Sequence, residues 1–387
     1  MVRRITILGA TGSIGRNTAA LLRGQADVRV TALTGGRDIA GLAELAREFR
    51  PDLVVTAYPE LLANLRDALS GTGIVAAAGP EAILEAAARP SDWVMSAIVG
   101  AAGLAPGLEA LKQGKCLALA NKESLVTAGQ LLLRTARQHG ATILPVDSEH
   151  SAIFQCLTGE NADRVESVTI TSSGGPFRSW PFERQAQATL AEALRHPNFA
   201  MGQRITIDSA SMFNKALELI ETREFFGFAP DKINVLVHPE QIIHGLVQFV
   251  DGGMLAHMGA PDMRHSIGYA LNWPDRGAVP VERIDLAALG ALTFERPYEA
   301  RFPALRLARE VMETGGLSGA VMNAAKEVAL DAFISGEIRF TGMAELVERV
   351  LEHMSGECAL DADGMTLENV TAADRKARDL ARNLTRT

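Results

Sequence analysis

The chain of 387 residues is predicted to be an α/β protein with an N-terminal doubly wound parallel sheet, a second α+β domain and a C-terminal helical bundle. Three observations predict this fold class. Apolar runs of strand length alternate with Ala/Leu/Glu-rich helical segments up to about residue 150, as in parallel sheets covered by helices on both faces. A glycine-rich turn directly follows the first run. Beyond residue 150 the pattern favours a mainly antiparallel sheet, and from about residue 305 it favours helices.

The individual elements follow from these patterns. The strands of the first sheet are predicted at 5–8, 28–33, 53–55, 74–77, 93–98, 116–120 and 142–146. Its clearest helices are predicted at 17–22 and 80–88. Later strands are predicted at 165–171, 233–237, 246–250 and 253–258, helices at 151–157 and 212–222, and a helical stretch at 305–354.

The changes of pattern also divide the chain into domains. A chain of this length is too long for one ordinary core. We expect a dinucleotide-binding domain at 1–147, a catalytic and connective domain at 148–273, a proline-rich linker at 274–300 and a helical domain at 301–387.

Composition excludes several classes of protein. The net charge of −8 and the lack of a Lys/Arg run argue against nucleic acid as the main ligand. The cysteines Cys116, Cys156 and Cys358 are scattered and odd in number, which favours a reducing cytoplasm over a disulfide framework. Neither a secretory leader before the strand at 5–8 nor a membrane span is predicted. We therefore expect a cytoplasmic protein without a membrane partner.

The glycine-rich turn reads Gly9-Ala10-Thr11-Gly12-Ser13-Ile14-Gly15 and joins the first strand to the first helix. Its glycines permit a tight turn, and the N–H groups that begin the helix can bind a pyrophosphate, so a Rossmann-like dinucleotide site is predicted. A plain connecting turn is the alternative. Arg37, after the second strand, can bind a ribose 2′-phosphate and favours NADPH, whereas Asp38 beside it leaves NADH open.

Charged residues follow two later strands of the predicted sheet. Lys122 lies just after the strand at 116–120, at the edge where open α/β sheets bind ligands, and is predicted to point toward nicotinamide and substrate. In an extended segment at 145–150, Asp147 and Glu149 emerge on the same side of the chain. Two carboxylates so placed can bind a hard cation, Mg²⁺ or Mn²⁺. An exposed helix start and a solvated acidic turn are the alternatives.

The segment at 209–218 is predicted to form an anion pocket at a helix N-terminus. Ser209 or Ser211 is placed to cap the helix, and Asn214 and Glu218, four residues apart, share one helix face. Lys215 lies one step round the helix. A hydroxyl, an amide and an ammonium group close together suit a phosphate or an oxyanion. An ordinary capped amphipathic helix is the alternative.

Two further segments are predicted to join this pocket. The small-residue loop Ser172-Ser173-Gly174-Gly175-Pro176 can offer hydroxyl and backbone donors to the same anion, although a simple turn is equally consistent with it. Glu218 can complete a three-carboxylate metal site with Asp147 and Glu149.

Seven segments, in this order, resemble the 1-deoxy-D-xylulose 5-phosphate reductoisomerase family: GATGSIG, LANKESLV, PVDSEHSAIFQ, SSGGPFR, HPNFAMGQRITIDSASMFNKALELIE, VLVHPEQIIHGLV and GAPDMRHSIGYAL. The resemblance covers the chain from the N-terminus to the C-terminal helices. It implies a three-domain, homodimeric enzyme that uses NADPH and Mg²⁺ or Mn²⁺. The implied reaction forms 2-C-methyl-D-erythritol 4-phosphate, in non-mevalonate isoprenoid biosynthesis, by metal-assisted ketol rearrangement and hydride reduction.

The resemblance also assigns roles position by position. The implied metal ligands are Asp147, Glu149 and Glu218, and with Lys122 they form the catalytic set. The implied NADPH contacts are Thr11, Gly12, Ser13, Ile14, Gly36, Arg37, Asp38, Asn121, Glu123 and Gly202. The implied contacts to the sugar phosphate substrate are Lys122, Ser148, Glu149, Ser173, His196, Ser209, Asn214, Lys215 and Glu218. The loop at 196–203 is implied to close over the site.

Three positions depart from the family pattern. Phe199-Ala200 replace the usual Trp-Ser, which is expected to weaken packing over the substrate. Asp38 replaces a common Asn near the 2′-phosphate, which is expected to soften the preference for NADPH. Lys326 replaces an Asn in the C-terminal helices, with an expected effect on local packing and none on catalysis.

Three other interpretations stay open from the sequence. A semialdehyde dehydrogenase shares the glycine turn but needs a thiolate, whereas Cys116 and Cys156 lie in apolar elements. A non-catalytic NADPH-sensing regulator would leave the acidic residues without a function. His238 and His244 can be metal ligands, although structural histidines are favoured because oxygen ligands are already present.

Overall fold

The computed structural model describes residues 2–195, 202–358 and 364–386. Its strands are β1 (Arg3–Leu8), β2 (Val28–Gly35), β3 (Leu53–Thr56), β4 (Val75–Ala78), β5 (Trp93–Ser96), β6 (Cys116–Leu119), β7 (Thr142–Pro145), β8 (Val165–Ser172), β9 (Ile233–Val237), β10 (Ile243–Phe249) and β11 (Met254–Met258).

The helices are α1 (Ser13–Leu22), α2 (Ile39–Phe49), α3 (Leu62–Ala68), α4 (Pro80–Ala88), α5 (Leu104–Leu111), α6 (Lys122–His139), α7 (Ser148–Cys156), α8 (Phe182–Gln185), α9 (Leu190–Ala193), α10 (Gln203–Ala210), α11 (Phe213–Phe226), α12 (Arg264–Asn272), α13 (Leu286–Leu289), α14 (Pro303–Thr314), α15 (Ser318–Ile334), α16 (Gly342–Met354) and α17 (Leu367–Thr385). Among the described residues, every helix is too short or too polar to span a lipid bilayer.

The chain forms two compact units. The first contains the chain up to Ser124, Leu132–Ser151 and Ala260–Arg283. The second contains Leu125–Leu131, Ala152–Gly259 and the chain from Ile284 onward. Helix α12, which the sequence placed in the segment at 148–273, belongs to the first unit, as does the start of the linker at 274–300. The division into three domains stays a prediction beside these two units.

The first unit is built on a seven-stranded parallel sheet of order β4-β3-β2-β1-β5-β6-β7. The strand order reverses between β1 and β5, and open α/β sheets bind their ligands at such a switch point. The central strands carry near-continuous apolar residues because helices cover both faces, and Ile5, Ile7 and Trp93 are fully buried. The indole N–H of Trp93 donates to the Ala270 carbonyl of α12 at 3.0 Å, so this buried donor is satisfied.

The second unit contains a four-stranded sheet of order β11-β10-β8-β9. Strand β10 pairs antiparallel with β8 and with β11, while β8 and β9 run parallel. The predicted, mainly antiparallel sheet is thus confirmed. Helices α14 to α17 lie in the same unit, and α15 is buried around most of its circumference because other elements of this unit pack against it. The predicted fold class is confirmed.

Candidate active site

The glycine turn is shaped by two close backbone approaches. Gly9 has a φ of +86°, and a Cβ there would lie 2.4 Å from the Ala97 carbonyl oxygen, beyond the end of β5. A Cβ on Gly15 would lie 2.3 Å from the Gly9 carbonyl oxygen, so only glycine lets α1 start against β1. Gly12 is the N-cap of α1, and a Cβ there would make only an ordinary van der Waals contact, 3.5 Å from the Gly9 carbonyl oxygen. The first N–H groups of α1 therefore lie at the switch point of the sheet, where a pyrophosphate binds.

The residues after β2 are held by side chains from neighbouring elements. The Arg37 guanidinium lies 3.9 Å from the centre of the Tyr58 ring, and its Nη2 lies 3.3 Å from Glu60 Oε1. The Asp38 carboxylate accepts from the Gly41 N–H at 2.9 Å and so caps α2. It also pairs with Arg16 at 2.7 Å. Arg16 thus partly neutralises the negative charge of Asp38. We therefore expect Asp38 to repel a 2′-phosphate bound beside Arg37 less strongly than an unpaired carboxylate would.

Sequence reasoning missed the supporting residues Arg16, Tyr58 and Glu60. Tyr58 and Glu60 follow β3, the neighbour of β2, at the carboxyl edge of the sheet. The rule that ligands lie at this edge was available from the sequence and would have found them.

Asn121 is buried and has a structural position before α6. Its side chain accepts from the Ser124 N–H at 2.8 Å and so caps the helix. Its amide group donates to the Gly100 carbonyl at 2.9 Å and to Glu123 Oε2 at 3.1 Å. The implied contacts of Asn121 and Glu123 with NADPH stay predictions.

The carboxylates after β7 stand on the start of a helix. The prediction of an extended chain through Asp147 and Glu149 was wrong, because α7 begins at Ser148 and places Glu149 in its first turn. The Asp147 carboxylate accepts from the Ser148 N–H at 3.0 Å, and the Ser148 hydroxyl donates to Glu149. Lys122 Nζ lies 2.8 Å from Asp147 Oδ2. Both acidic residues are therefore held by the helix start, a position that favours negative charge.

Of the predicted anion-pocket residues, Asn214, Lys215 and Glu218 lie on α11. The predicted capping by Ser209 or Ser211 was wrong, because both belong to the C-terminal end of α10, and Met212, with φ +63°, is the N-cap of α11. The Asn214 amide donates to Glu218 Oε1 at 2.5 Å, which confirms that these two residues share a helix face.

Lys215 adds a positive charge to this helix face. Its ammonium group donates to Glu218 Oε2, and the Lys215 side chain is 4% exposed and that of Glu218 1%. The pair is therefore shielded from solvent, and two charges in such a buried position interact more strongly than they would in water.

The loop between β8 and α8 lines a cavity of about 420 Å³ in the second unit. Its lining includes Ser173 and Gly175, and its charged groups are three basic residues and one acidic residue: Arg178, Arg184, Arg195 and Glu192. The Gly174 and Gly175 N–H groups donate to the hydroxyls of Ser172 and Ser173, each at 3.1 Å. A cavity lined by hydroxyl and guanidinium groups suits a phosphate.

Some predicted residues lie outside the described part of the chain. They are His196 and the Phe199-Ala200 pair. Gly202 is described, and it is the N-cap of α10.

The cysteines and histidines that the sequence offered as alternative reactive groups or metal ligands are buried, half-buried or hydrogen-bonded within the fold. Burial raises the pKa of the Cys116 thiol to about 12 and that of the Cys156 thiol to about 11, so neither is a thiolate at neutral pH. This argues against the semialdehyde dehydrogenase interpretation. His238 accepts from the Ile242 N–H at 3.1 Å and lies 2.8 Å from the Thr293 carbonyl oxygen. His244 contacts the Gly259 carbonyl oxygen at 3.1 Å, so both histidines have structural roles.

The candidate ligands fit a hard divalent cation. Asp147, Glu149 and Glu218 offer only carboxylate oxygens, the donors that Mg²⁺ and Mn²⁺ prefer. Glu149 and Glu218 are buried, and buried carboxylates require a compensating positive charge. Lys215 supplies such a charge to Glu218, and Lys122 pairs with the half-buried Asp147, two residues before Glu149. The fold and these side chains together define a class, dinucleotide-dependent reductases that act with a divalent cation on a small phosphorylated substrate.

Comparisons with known proteins narrow this class to one family. Residues 5–129 match the family described as 1-deoxy-D-xylulose 5-phosphate reductoisomerase, residues 143–226 its C-terminal domain, and residues 258–380 the DXP reductoisomerase C-terminal domain. The chain belongs to the 1-deoxy-D-xylulose 5-phosphate reductoisomerase family, so the resemblance seen in the sequence, the enzyme class and the reaction it implies are confirmed.

Two bacterial relatives match nearly the whole chain. The reductoisomerase of Ruegeria pomeroyi is 64% identical over 97% of this chain and 96% of its own length. That of Cereibacter sphaeroides is 62% identical over 98% of this chain and 97% of its own length.

Solved structures of reductoisomerases have the same fold. The Zymomonas mobilis enzyme in complex with NADPH has a TM-score of 0.92 at 45% identity, covering 100% of this chain and 99% of that chain. A DOX-P reductoisomerase in complex with NADPH, fosmidomycin and magnesium has a TM-score of 0.95 at 38% identity, covering 100% and 98%.

Proposed function

We propose that this chain converts 1-deoxy-D-xylulose 5-phosphate into 2-C-methyl-D-erythritol 4-phosphate, with NADPH as reductant and Mg²⁺ or Mn²⁺ as the divalent cation. The observation that carries the proposal is a dinucleotide turn after β1 together with the Lys122–Asp147 pair, which joins the residues after β6 and β7 of the same sheet. Ligands of open α/β sheets lie at this edge. Membership of the reductoisomerase family and the magnesium and NADPH in solved relatives support the choice of cofactors.

Asp147, Glu149 and Glu218 would hold the cation. When bound, the cation supplies Lewis acidity to the substrate carbonyl, and NADPH supplies the hydride. Lys122 adds positive charge on the Asp147 side, where negative charge develops on the substrate oxygens. The Ser148 hydroxyl, which donates to Glu149, orients that carboxylate.

The substrate phosphate is anchored by the second unit. Ser173, Ser209, Asn214 and Lys215 are its proposed ligands, and Lys215 brings a full positive charge that pairs with phosphate. Binding energy from this remote group orients the reacting carbon atoms, which raises the rate of the chemical step.

The cofactor is held by the first unit. The N–H groups of Thr11, Ser13 and Ile14 lie around the start of α1 and would bind the pyrophosphate. The Gly12 N–H donates to the Gly9 carbonyl at 3.2 Å, and Gly12 would let the cofactor approach the backbone closely. Gly36 and Arg37 would bind the adenosine end, with the Arg37 guanidinium directed at the 2′-phosphate.

The proposed function is tested by following NADPH oxidation with 1-deoxy-D-xylulose 5-phosphate as substrate. We expect turnover with Mg²⁺ or Mn²⁺ present, loss of turnover with EDTA, and recovery when either ion is added in excess. Turnover that EDTA does not change would contradict the metal role. An absence of NADPH oxidation with this substrate in the presence of both ions would contradict the function itself.

Arg37 is expected to set the preference for NADPH. In the Arg37→Met variant the KM for NADPH should rise by a factor of about 10 to 100, because a hydrogen bond to a charged group contributes about 1.5–3 kcal/mol. The KM for NADH should stay unchanged, since NADH has no 2′-phosphate. Steady-state kinetics with both cofactors measure this.

A matched control for this prediction lies at the other end of β2. Arg29 is also exposed and pairs with Asp52 at 2.7 Å, so Arg29→Met removes an equal charge away from the cofactor. Equal increases in KM for NADPH and NADH in the Arg37 variant would show that Arg37 does not bind the 2′-phosphate.

We also propose that the protein is a homodimer that pairs through β11. This strand is the outer strand of the four-stranded sheet, and Val250, Met254 and Leu255 near it are 61%, 53% and 43% exposed. An exposed apolar edge strand is a pairing surface, and a second copy of the same strand can pair with it antiparallel about a twofold axis.

The dimer is tested by light scattering after gel filtration. We expect a mass of two chains for the wild type and of one chain for Leu255→Lys. In the variant, the two introduced ammonium groups would lie close together across the twofold axis and repel each other. Val75→Lys, on the edge strand of the other sheet, is the control and should stay dimeric.

We propose a cytoplasmic location because the cysteines form no disulfide bond among the described residues. All three are free, and two of them are buried, which suits a reducing compartment.

A further inference from the structure

Helix α10 is bound to α15 by two ion pairs within the second unit. Lys326 Nζ lies 3.0 Å from Asp208 Oδ2, although the two residues are 118 positions apart. One turn earlier on α10, Arg204 pairs with Asp331. Because the residue numbers rise on α10 as they fall on α15, the two helices run antiparallel at this contact. The helices are therefore fixed in register by two charged contacts.

The two pairs differ in burial. The side chains of Lys326 and Asp208 are 4% and 10% exposed, whereas those of Arg204 and Asp331 are 43% and 63% exposed. Exposed pairs are screened by water and contribute little, whereas a buried pair constrains geometry strongly. Of the two ion pairs between α10 and α15, the Lys326–Asp208 pair therefore constrains the geometry more strongly.

The end of α10 reaches the proposed phosphate pocket. Ser209 directly follows Asp208, and only Ser211 and Met212 separate α10 from α11, which carries Asn214 and Lys215. The 172–176 loop rests on the same turn, because a Cβ on Gly175 would lie 2.8 Å from the Ser209 carbonyl oxygen. A shift of α10 would thus move groups on both sides of the pocket.

We propose that the buried Lys326–Asp208 pair positions Ser209 and the 172–176 loop for the substrate phosphate. Lys326 is a positioning residue that acts through Asp208 and touches no ligand. This inference rests on the proposed function, since it concerns the pocket assigned there to the phosphate. The departure from the family at position 326 then affects substrate affinity in addition to local packing.

The decisive variant removes both charges. In Asp208→Leu/Lys326→Met no buried charge is left alone, so the protein is expected to fold with a melting temperature equal to or above that of the wild type. The KM for 1-deoxy-D-xylulose 5-phosphate should rise about tenfold, because small displacements of binding groups weaken orientation strongly. The KM for NADPH should stay unchanged. Lys326→Arg keeps the pair and should keep the KM near that of the wild type.

The neighbouring pair on α15 provides a matched control. Glu327 pairs with Arg378 of α17 at 2.8 Å and is half-buried, but it is not bound to α10. Glu327→Gln/Arg378→Met should therefore leave the KM for the sugar phosphate unchanged. A wild-type KM in the folded Asp208→Leu/Lys326→Met variant, or an equal increase in the control variant, would overturn the positioning role.

Inorganic phosphate separates this inference from the proposed function. Phosphate should raise the melting temperature of the wild type and of the control, and raise that of Asp208→Leu/Lys326→Met much less, because ligand binding stabilises the folded state. This readout requires no turnover. If the wild type fails to oxidise NADPH with the sugar phosphate, the proposed function fails. If phosphate stabilises all three proteins equally, the role of Lys326 fails.

Discussion

Glu218→Gln is expected to lower kcat by about a hundredfold or more, because Lewis-acid stabilisation contributes several kcal/mol and each factor of ten in rate corresponds to about 1.4 kcal/mol. The amide keeps the volume of the side chain and an acceptor for Asn214, but it removes the negative charge that would hold the cation. Rates measured over a range of Mg²⁺ concentrations should show that excess ion does not restore the wild-type kcat.

Stability must be measured beside activity for this variant. Glu218 also accepts from the buried Lys215, so a lower melting temperature is expected when that ammonium group loses its carboxylate. Assays therefore belong well below the melting temperature, with the fold checked by circular dichroism. Wild-type turnover of the folded variant at saturating Mg²⁺ would show that Glu218 is not a ligand.

Glu224→Gln is the control on the same helix. Burial raises the pKa of Glu224, although Arg223 opposes this, so the neutral amide resembles the form that burial favours. This residue has no proposed part in the reaction. Its variant should keep the wild-type kcat and the wild-type dependence on Mg²⁺.

Gly15→Ala is expected to destabilise the first unit and to abolish tight NADPH binding. The added Cβ would lie 2.3 Å from the Gly9 carbonyl oxygen and 2.5 Å from Ala10 Cα, which are backbone atoms that cannot rotate away. Overpacking of this kind costs about 1–3 kcal/mol or more, which corresponds to a loss of several degrees in melting temperature. Calorimetry and a fluorescence titration with NADPH measure the two effects.

Gly12→Ala separates the two expected effects of Gly15→Ala, the loss of stability and the loss of NADPH binding. A Cβ at Gly12 would have 3.5 Å to its nearest neighbour, and φ is −73°, so the folded protein should keep its melting temperature. The methyl group would stand where the pyrophosphate must approach the backbone, so NADPH binding should weaken. Equal stability of the Gly15→Ala variant and the wild type would contradict the close-packing explanation.

Much of the first sheet was predictable because its strands are short apolar runs bounded by turn residues. The run at 5–8 and the glycine turn after it are local signals, and their spacing requires no distant partner. The predicted strand at 116–120 corresponds to β6 at Cys116–Leu119, which shows that only the ends were uncertain.

Helix α10 could not be predicted in the same way. Its residues Ile205, Thr206 and Ile207 are β-branched and have low helix propensity, so the sequence alone does not favour a helix there. Burial of Thr206 and Ile207 and the ion pair of Asp208 with Lys326 stabilise it in the folded protein. The capping roles given to Ser209 and Ser211 failed because this helix was missed.

The sequence by itself determined the parallel sheet, the dinucleotide turn, the identity of the candidate ligands and the family, because these depend on periodicity, turn chemistry and motifs read along the chain. Only the tertiary structure decided that Glu149 lies in the first turn of a helix, that Asp38 is paired with Arg16 and that Lys326 lies against Asp208. The physical reason is that charged side chains choose partners by distance in space and by burial, and neither quantity is written in residue spacing.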